Sequence, residues 1–461
     1  MKNTVRRSLV LILVIAMFFA GMGILLAQFI IKGPDWVTNK ADRHIYYNGA
    51  IINAGEIQDR NGVVLAYSEN GERHFNESES VRKATLHTVG DTTGFIATGI
   101  HKTYSARLTG YNLFNGVYNL KKHGQGNNII LTINSEVCAL AYEALNGRKG
   151  CVSVYNYKTG EIECLVSAPT FDPENKPTDI DTDESGKYDG IYLNRMFSGL
   201  YTPGSIFKIV TSAAAIENIP DIYSRQFTCK GSYEMGGGKV ICNGTHGTIS
   251  FEQALGYSCN SAFAQIGELL GNELMTQTAE KLGFNKDFSV GEIDVNTSRF
   301  DLSKAVAIDL GWASIGQYDT LVTPTHMLTL MGAVANGGTA KMPYIIDKMT
   351  SPGGTTTQKT IVSNCKEIKL EEDTANKLKS LMRVNVNKYY GDSRFPGLSI
   401  CGKTGTAEVS NGEPHAWFVG FSDDPSFPYA FVVILENSGS GSSNAIPVAN
   451  TVLQKIKATK N

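Results

Sequence analysis

The sequence predicts an α/β fold of the α+β kind: an antiparallel sheet flanked by helices, with a helical subdomain alongside, a small strand-containing pedestal and a membrane anchor before them. Three observations predict it. Strand-like runs lie near both ends of the main body, at 151–155 and 161–166 and again at 416–421 and 430–435, with mostly helical patterns between them. One sheet assembled from both ends, carrying a helical insert, accounts for that order. The turn between the first two runs, Asn156 to Gly160, is short and polar, so that pair is antiparallel. Finally, Ser8 to Ile31 is a run of 24 residues without a charge, bounded by Lys2, Arg6 and Arg7 before it and Lys32 after it.

That uncharged run is long enough to cross a bilayer with some tilt. A cleaved signal peptide is the rival, but its apolar core spans only about 7–15 residues. Positive charge before the span places residues 1–7 in the cytoplasm, 8–31 in the membrane and the rest of the chain outside the cell membrane. The chain has 461 residues, 42% hydrophobic and 19% charged, with a net charge of -2, which fits folded domains and excludes a disordered class. Lysine and arginine are scattered, so no nucleic-acid partner is expected.

Residues 32–128 form a polar region of short apolar stretches and frequent turns, read as the pedestal. Asn61-Gly62, between Ile57-Gln58 and Val64-Leu65, predicts a hairpin, and Asn70-Gly71 repeats the signal. The body, 129–461, opens with the strand-like Ile129 to Ile133 and a helical stretch, Glu136 to Leu145, and closes with a helix over Ile446 to Ile456. Gly236-Gly237-Gly238-Lys239 is not a phosphate loop, because it lacks the leading glycine spacing and a Ser or Thr after the lysine.

Eight cysteines are too few for a disulfide scaffold. Cys229 and Cys242, with His246 nearby, hint at metal spacing, but there is no C-x-x-C and no fourth ligand is evident. The expectation is therefore no metal and no cofactor, with Cys229 and Cys242 either closing a short loop or simply buried.

The chemistry is centred on Thr202-Pro203-Gly204-Ser205-Ile206-Phe207-Lys208. Pro203-Gly204 breaks the preceding structure, and Ile206, Ile209, Val210 and Ala213 make one buried stripe of a helix running to Pro220. Ser205 and Lys208 then share a face, one turn apart. A serine becomes a nucleophile when a base takes its proton, and lysine serves as that base only when desolvation or nearby positive potential keeps it neutral. Alone the spacing also suits an N-cap serine followed by a solvated lysine. Ser258-Cys259-Asn260 and Lys403-Thr404-Gly405-Thr406 complete a set.

In the order Ser-x-x-Lys, Ser-x-Asn, Lys-Thr-Gly, the three match the penicillin-recognising serine acyltransferases. The chain resembles the class B penicillin-binding proteins, the monofunctional, membrane-anchored peptidoglycan transpeptidases, over most of 129–461. The resemblance extends to Asn194-Arg195, Gly316-Gln317, Thr323-Pro324 and Trp417-Phe418-Val419-Gly420-Phe421, and in the pedestal to Asp59-Arg60-Asn61-Gly62. It departs at Ala54-Gly55, where the family usually has arginine-glycine, and at Tyr318, where it usually has glycine.

The resemblance implies the penicillin-binding transpeptidase/serine β-lactamase-like fold and an acyl-enzyme on Ser205. Lys208 would be the base, Ser258 would relay the proton, Asn260 would bind a substrate amide, and Lys403 would add positive potential. Thr404 and Thr406 would hold the substrate carboxylate, and Gly405 would let its backbone approach. The implied partners are D-Ala-D-Ala stem peptides, β-lactams, the membrane and a separate membrane glycosyltransferase, since no second segment of that size is present.

Three rival readings share the motifs. A class A β-lactamase needs a Glu-x-x-Leu-Asn pattern, and Glu292-Ile293-Asp294-Val295-Asn296 is one residue too long and lacks the leucine. A D,D-carboxypeptidase would pass the acyl group to water. A β-lactam sensor would need a cytoplasmic effector, for which only about seven residues are available.

Overall fold

The computed structural model describes residues 2–39, 46–47, 50–51, 53–111, 113, 116, 126–410 and 412–460. The first helix, α1, Lys2–Val37, is longer than the uncharged run because its flanks continue the helix. From Thr4 to Pro34 it is apolar enough to cross a membrane, and its apolar run is exposed from Thr4 to Lys32, with only Gly33 and Pro34 at its end covered by the protein. An unburied apolar helix in a folded chain is satisfied by lipid.

Beyond it come the short strands β1, Ile57–Gln58, β2, Val64–Glu69, and β3, Glu72–Phe75. The two Asn-Gly signals behave differently. Asn70 and Gly71 both have positive φ, +53 and +83, and join β2 to β3 as a two-residue hairpin. At Asn61-Gly62 only the glycine is left-handed, because Asp59 reorganises the loop. Its Oδ1 accepts from the N–H groups of Asn61 and Val63, and its Oδ2 from the backbone and hydroxyl of Ser135.

The strand β4, Asn128–Leu131, leads into helix α2, Ser135–Leu145, capped by Asn134. The strand was expected to open a separate body, yet β4 pairs in parallel with β1 and antiparallel with β11, Ile346–Thr350, itself paired to β12, Thr356–Lys359. A six-stranded sheet therefore runs across the expected 128/129 boundary. Short pedestal strands cannot bury a face alone, and pairing with the body supplies one. Ala54, Ile57 and Leu65 accordingly belong to the same core as Ile129 and Val152. At Ala54-Gly55 the buried Arg73 donates to both carbonyls, at 3.1 and 2.9 Å, so a guanidinium reaches this stretch from elsewhere in the chain.

The sheet that carries the site is the one expected. Its first two strands, β5, Gly150–Asn156, and β6, Ile162–Ala168, pair antiparallel. They are joined by β13, Ile400–Ala407, β14, His415–Ser422, and β15, Tyr429–Leu435, in the order β13-β14-β15-β5-β6. Every residue of β15 is buried, because helices cover both faces. The C-terminal helix, Gly441–Lys460, packs on one face, and Pro324–Ala335, with Pro at its start and Thr323 capping it, packs on β14 and β15. Each Val or Ile buried here contributes about 1.5–3 kcal/mol.

The insert contains α3, Lys208–Asn218, and α4, Asn260–Lys281, the latter kinked at Gly271. Between them lie two antiparallel strand pairs, β7, Gln226–Cys229, with β10, Gly247–Ser250, and the hairpin that falls between these in the chain, β8, Ser232–Met235, with β9, Gly238–Ile241. Gly236 and Gly237, with φ +56 and +82, form the two-residue turn between β8 and β9.

Candidate active site

The helix after Ser205 forms as the apolar spacing requires, with Ile206, Ile209, Val210 and Ala213 fully buried. Ser205 itself sits one step earlier than expected, in a tighter 3₁₀ turn, Gly204–Phe207, that feeds α3. Two glycines make this turn possible. Gly204 has φ +53 and donates its N–H to the Gly316 carbonyl at 2.9 Å. A side chain at Gly316, whose φ is +78, would collide with the Gly204 carbonyl oxygen at 2.2 Å. Trp417 anchors the approach from the other side, donating its indole N–H to the Thr202 carbonyl at 3.1 Å.

All three motifs converge on one point. Lys208 Nζ lies 3.1 Å from Ser205 Oγ, 3.2 Å from Ser258 Oγ, and 2.7 Å from both the Ser258 carbonyl and Asn260 Oδ1. Lys403 Nζ donates to Ser258 Oγ at 3.0 Å and to the Thr404 carbonyl at 2.9 Å. Ser258 thus bridges the two lysines. It does so with φ +57, a strained conformation for a residue with a Cβ, which turns its carbonyl and its hydroxyl toward Lys208 together.

Both lysines are wholly buried, and no carboxylate pairs with either among the described residues. Burial pushes the Lys208 ammonium well below the ordinary lysine range, and the nearby charge of Lys403 pushes it further. Burial alone brings Lys403 down to about 7. Lys208 is therefore the group able to stand neutral beside the serine hydroxyl.

These groups open into a cleft of about 350 Å³ lined by Ser205, Ser258, Asn260, Thr404 and Thr406, with Asn243, Trp312 and Gln317 opposite. Thr404 and Thr406 alternate with buried neighbours on β13, the edge strand of the sheet. Gly405 occupies a different place from the one expected of it. A Cβ there would lie 3.0 Å from Ile206 Cγ2 and 3.1 Å from the Pro203 carbonyl oxygen, so its bareness lets the nucleophile turn pack on the strand.

Asn243, Trp312 and the Tyr390 hydroxyl, which accepts from the Thr404 N–H at 3.3 Å, were not singled out by sequence reasoning. Only Gly316-Gln317, through the resemblance, signalled this wall. Glu292 lies elsewhere: its N–H donates to the Tyr104 hydroxyl, and its carboxylate faces Arg107.

A half-exposed serine in contact with a buried lysine, a second serine between two lysines and an edge strand beside them define a serine acyl-transfer site. The model of the penicillin-binding protein transpeptidase domain matches residues 150–456, and the chain belongs to that family. The peptidoglycan D,D-transpeptidase PbpA of Mycolicibacterium smegmatis is 27% identical over 397 residues, covering 78% of this chain and 79% of the relative. Penicillin-binding protein A of Mycobacterium tuberculosis, solved as a penicillin G acyl-enzyme complex, superposes with a TM-score of 0.76 at 25% identity, covering 89% of this chain and all of that one. The D,D-transpeptidase domain of a peptidoglycan glycosyltransferase from Eggerthella lenta gives 0.75 at 27% identity, covering 88% and 99%.

Proposed function

We propose that this protein is a peptidoglycan D,D-transpeptidase that cross-links stem peptides through a Ser205 acyl-enzyme and is acylated by penicillin at the same residue. The carrying observation is the 3.1 Å contact between Ser205 Oγ and a buried lysine that has no acidic partner among the described residues. Lys208 takes the Ser205 proton as Oγ attacks the penultimate D-Ala carbonyl. The developing oxyanion is met by the backbone N–H groups of Ser205 and Thr406. Lys208 returns its proton through Ser258, 3.2 Å away, to the departing D-Ala amine, while Lys403 holds that hydroxyl and adds positive potential. Thr404 and Thr406 take the terminal carboxylate, and Asn260 binds a substrate amide.

An acceptor amine then repeats the sequence in reverse and releases the cross-linked product. We place α1 across the membrane with residues 1–7 in the cytoplasm, which keeps the cleft on the side of the wall. Polymerisation of the glycan falls to a membrane glycosyltransferase partner. Full-length protein in detergent should convert a lipid-linked pentapeptide glycan polymer to peptide dimers, read by mass. Tetrapeptides alone would mean a D,D-carboxypeptidase, and an unchanged polymer would contradict the proposal.

A further inference from the structure

Behind the cleft, the chain gathers four metal-ligating side chains that take no part in acyl transfer. Cys229 ends β7, Cys242 follows β9, His246 precedes β10, and Cys259 is the middle residue of Ser258-Cys259-Asn260. The ligand atoms of all four lie within 4.8 Å of one another. The sequence suggested a Cys229–Cys242 loop and showed no fourth ligand; the structure leaves both thiols free and brings in Cys259, which is close in space although far in spacing.

From this convergence we infer that Cys229, Cys242, His246 and Cys259 bind one structural zinc ion. The distances favour a metal over a disulfide. A tetrahedron with Zn–S of about 2.3 Å and Zn–N of about 2.0–2.1 Å has S···S edges of about 3.8 Å and S···N edges of about 3.6 Å. Cys242 Sγ lies 3.7 Å from Cys259 Sγ and 3.6 Å from His246 Nδ1. A disulfide would need sulfurs about 2.05 Å apart and would have no use for a third thiol or an imidazole. Three soft sulfurs and one imidazole suit zinc rather than magnesium or calcium. Four protein ligands leave no open position, so the ion would be structural and not a second catalyst.

The imidazole is already oriented, since its ring stacks on Tyr257 with centroids 5.1 Å apart. Binding releases the protons of three thiols to solvent and leaves three thiolates and a neutral imidazole on the ion. No oxidant is required.

The site has a mechanical role for the cleft. Cys259 lies between Ser258 and Asn260, and Asn260 Nδ2 donates to the Ile241 carbonyl, next to Cys242, at 2.9 Å. The ion would clamp the two strand pairs to the loop that holds the proton relay. Cys229, Cys242, His246 and Cys259 are thus positioning residues for Ser258 and Asn260.

The test uses the full-length protein, purified in detergent without chelator after growth with zinc. Elemental analysis should find about one zinc per chain, and cobalt exchanged into the site should show the visible bands of tetrahedral thiolate coordination. Zinc content should fall toward zero in Cys242→Ser and in His246→Ala, whose side chain is only half buried. Retained labelling of Ser205 by a fluorescent penicillin would show that a metal-free variant is folded, although more slowly acylated. Protein without zinc in which Cys229 and Cys242 are found disulfide-bonded or freely alkylated would overturn the inference. So would zinc that persists unchanged in both variants.

Discussion

Two buried cationic sites in this molecule are built in opposite ways. Arg195, at the back of the sheet, is paired: its Nε lies 2.7 Å from Glu436 Oε1, which also accepts from the Tyr201 hydroxyl at 2.7 Å. Burial works against the Glu436 carboxylate, but Arg195 and then Tyr201 outweigh it and hold the carboxyl below its ordinary range. Lys208, in the cleft, meets hydroxyls, a carbonyl, an amide oxygen and the face of the Phe263 ring, and no carboxylate among the described residues. A buried cation with an acid partner stays a cation and becomes a strut; one without a partner gives up its proton and becomes a base. The same contrast explains why arginine serves at one site and lysine at the other, since a guanidinium does not deprotonate.

The largest effect should come from forcing the cleft to behave like the strut. Lys208→Arg keeps a cation beside Ser205 but removes the base, and acylation by a fluorescent penicillin should fall by about 10²–10⁴-fold, as should Lys208→Ala. Stopped-flow labelling measures this directly. Labelling of Lys208→Arg at the wild-type rate would reduce Lys208 to a fixed charge and move the base elsewhere, Ser258 with Lys403 first.

The converse change unpairs the strut. Glu436→Gln leaves the Arg195 charge buried without its counter-ion, and stability should drop by about 2–3 kcal/mol, toward the low end for a buried pair because Glu436 is partly exposed. Denaturant titration reads the loss. The pH profile of acylation should keep its shape, because the two sites share no titrating group.

A third prediction concerns Lys403. A depressed lysine is protonated below its pKa and neutral above it, so positive potential at the carboxylate site is lost as pH rises through about 7. The second-order acylation rate should therefore decline on the alkaline side with an apparent pKa near that value, a macroscopic constant of the coupled lysines. A rate that climbs steadily to pH 10 would argue against this role.

The smallest effect lies beside the nucleophile turn. Tyr318 has φ +60, a conformation that costs an ordinary residue about 1–2 kcal/mol and glycine almost nothing. Tyr318→Gly should raise stability by up to about 1 kcal/mol after the greater entropy loss of glycine, without moving the pH profile. A loss of stability would show that the ring makes contacts worth more than the strain.

Much of this was legible in the chain because reactivity is written in residue types. Ser205, Lys208, Ser258, Asn260 and Lys403 could be picked out because acyl transfer needs those groups together, and the strands at both ends of the body were readable from their apolar runs. Partnerships across space were less legible. Nothing in Asn128–Leu131 says that it pairs with Ile57-Gln58, since any short apolar strand offers the same edge. Asp59 overrode the Asn61-Gly62 turn by bonding to Ser135, a contact over 76 residues. Gly405 looked like room for substrate and proved to be room for Ile206. Cys259 was hidden within a catalytic motif, so its convergence with Cys229, Cys242 and His246 was not apparent.

The central claim is that Lys208 is a base because no acid partners it, and one substitution tests it. Asn260 Oδ1 accepts from Lys208 Nζ at 2.7 Å, so Asn260→Asp places a carboxylate there with almost no change of shape. The carboxylate favours the ammonium form and raises the Lys208 pKa. The acid limb of the acylation profile should shift to higher pH, toward the Lys403 limb, with the neutral-pH rate reduced. An acid limb that stays in place while Asn260→Asp remains folded and acylated would contradict the claim.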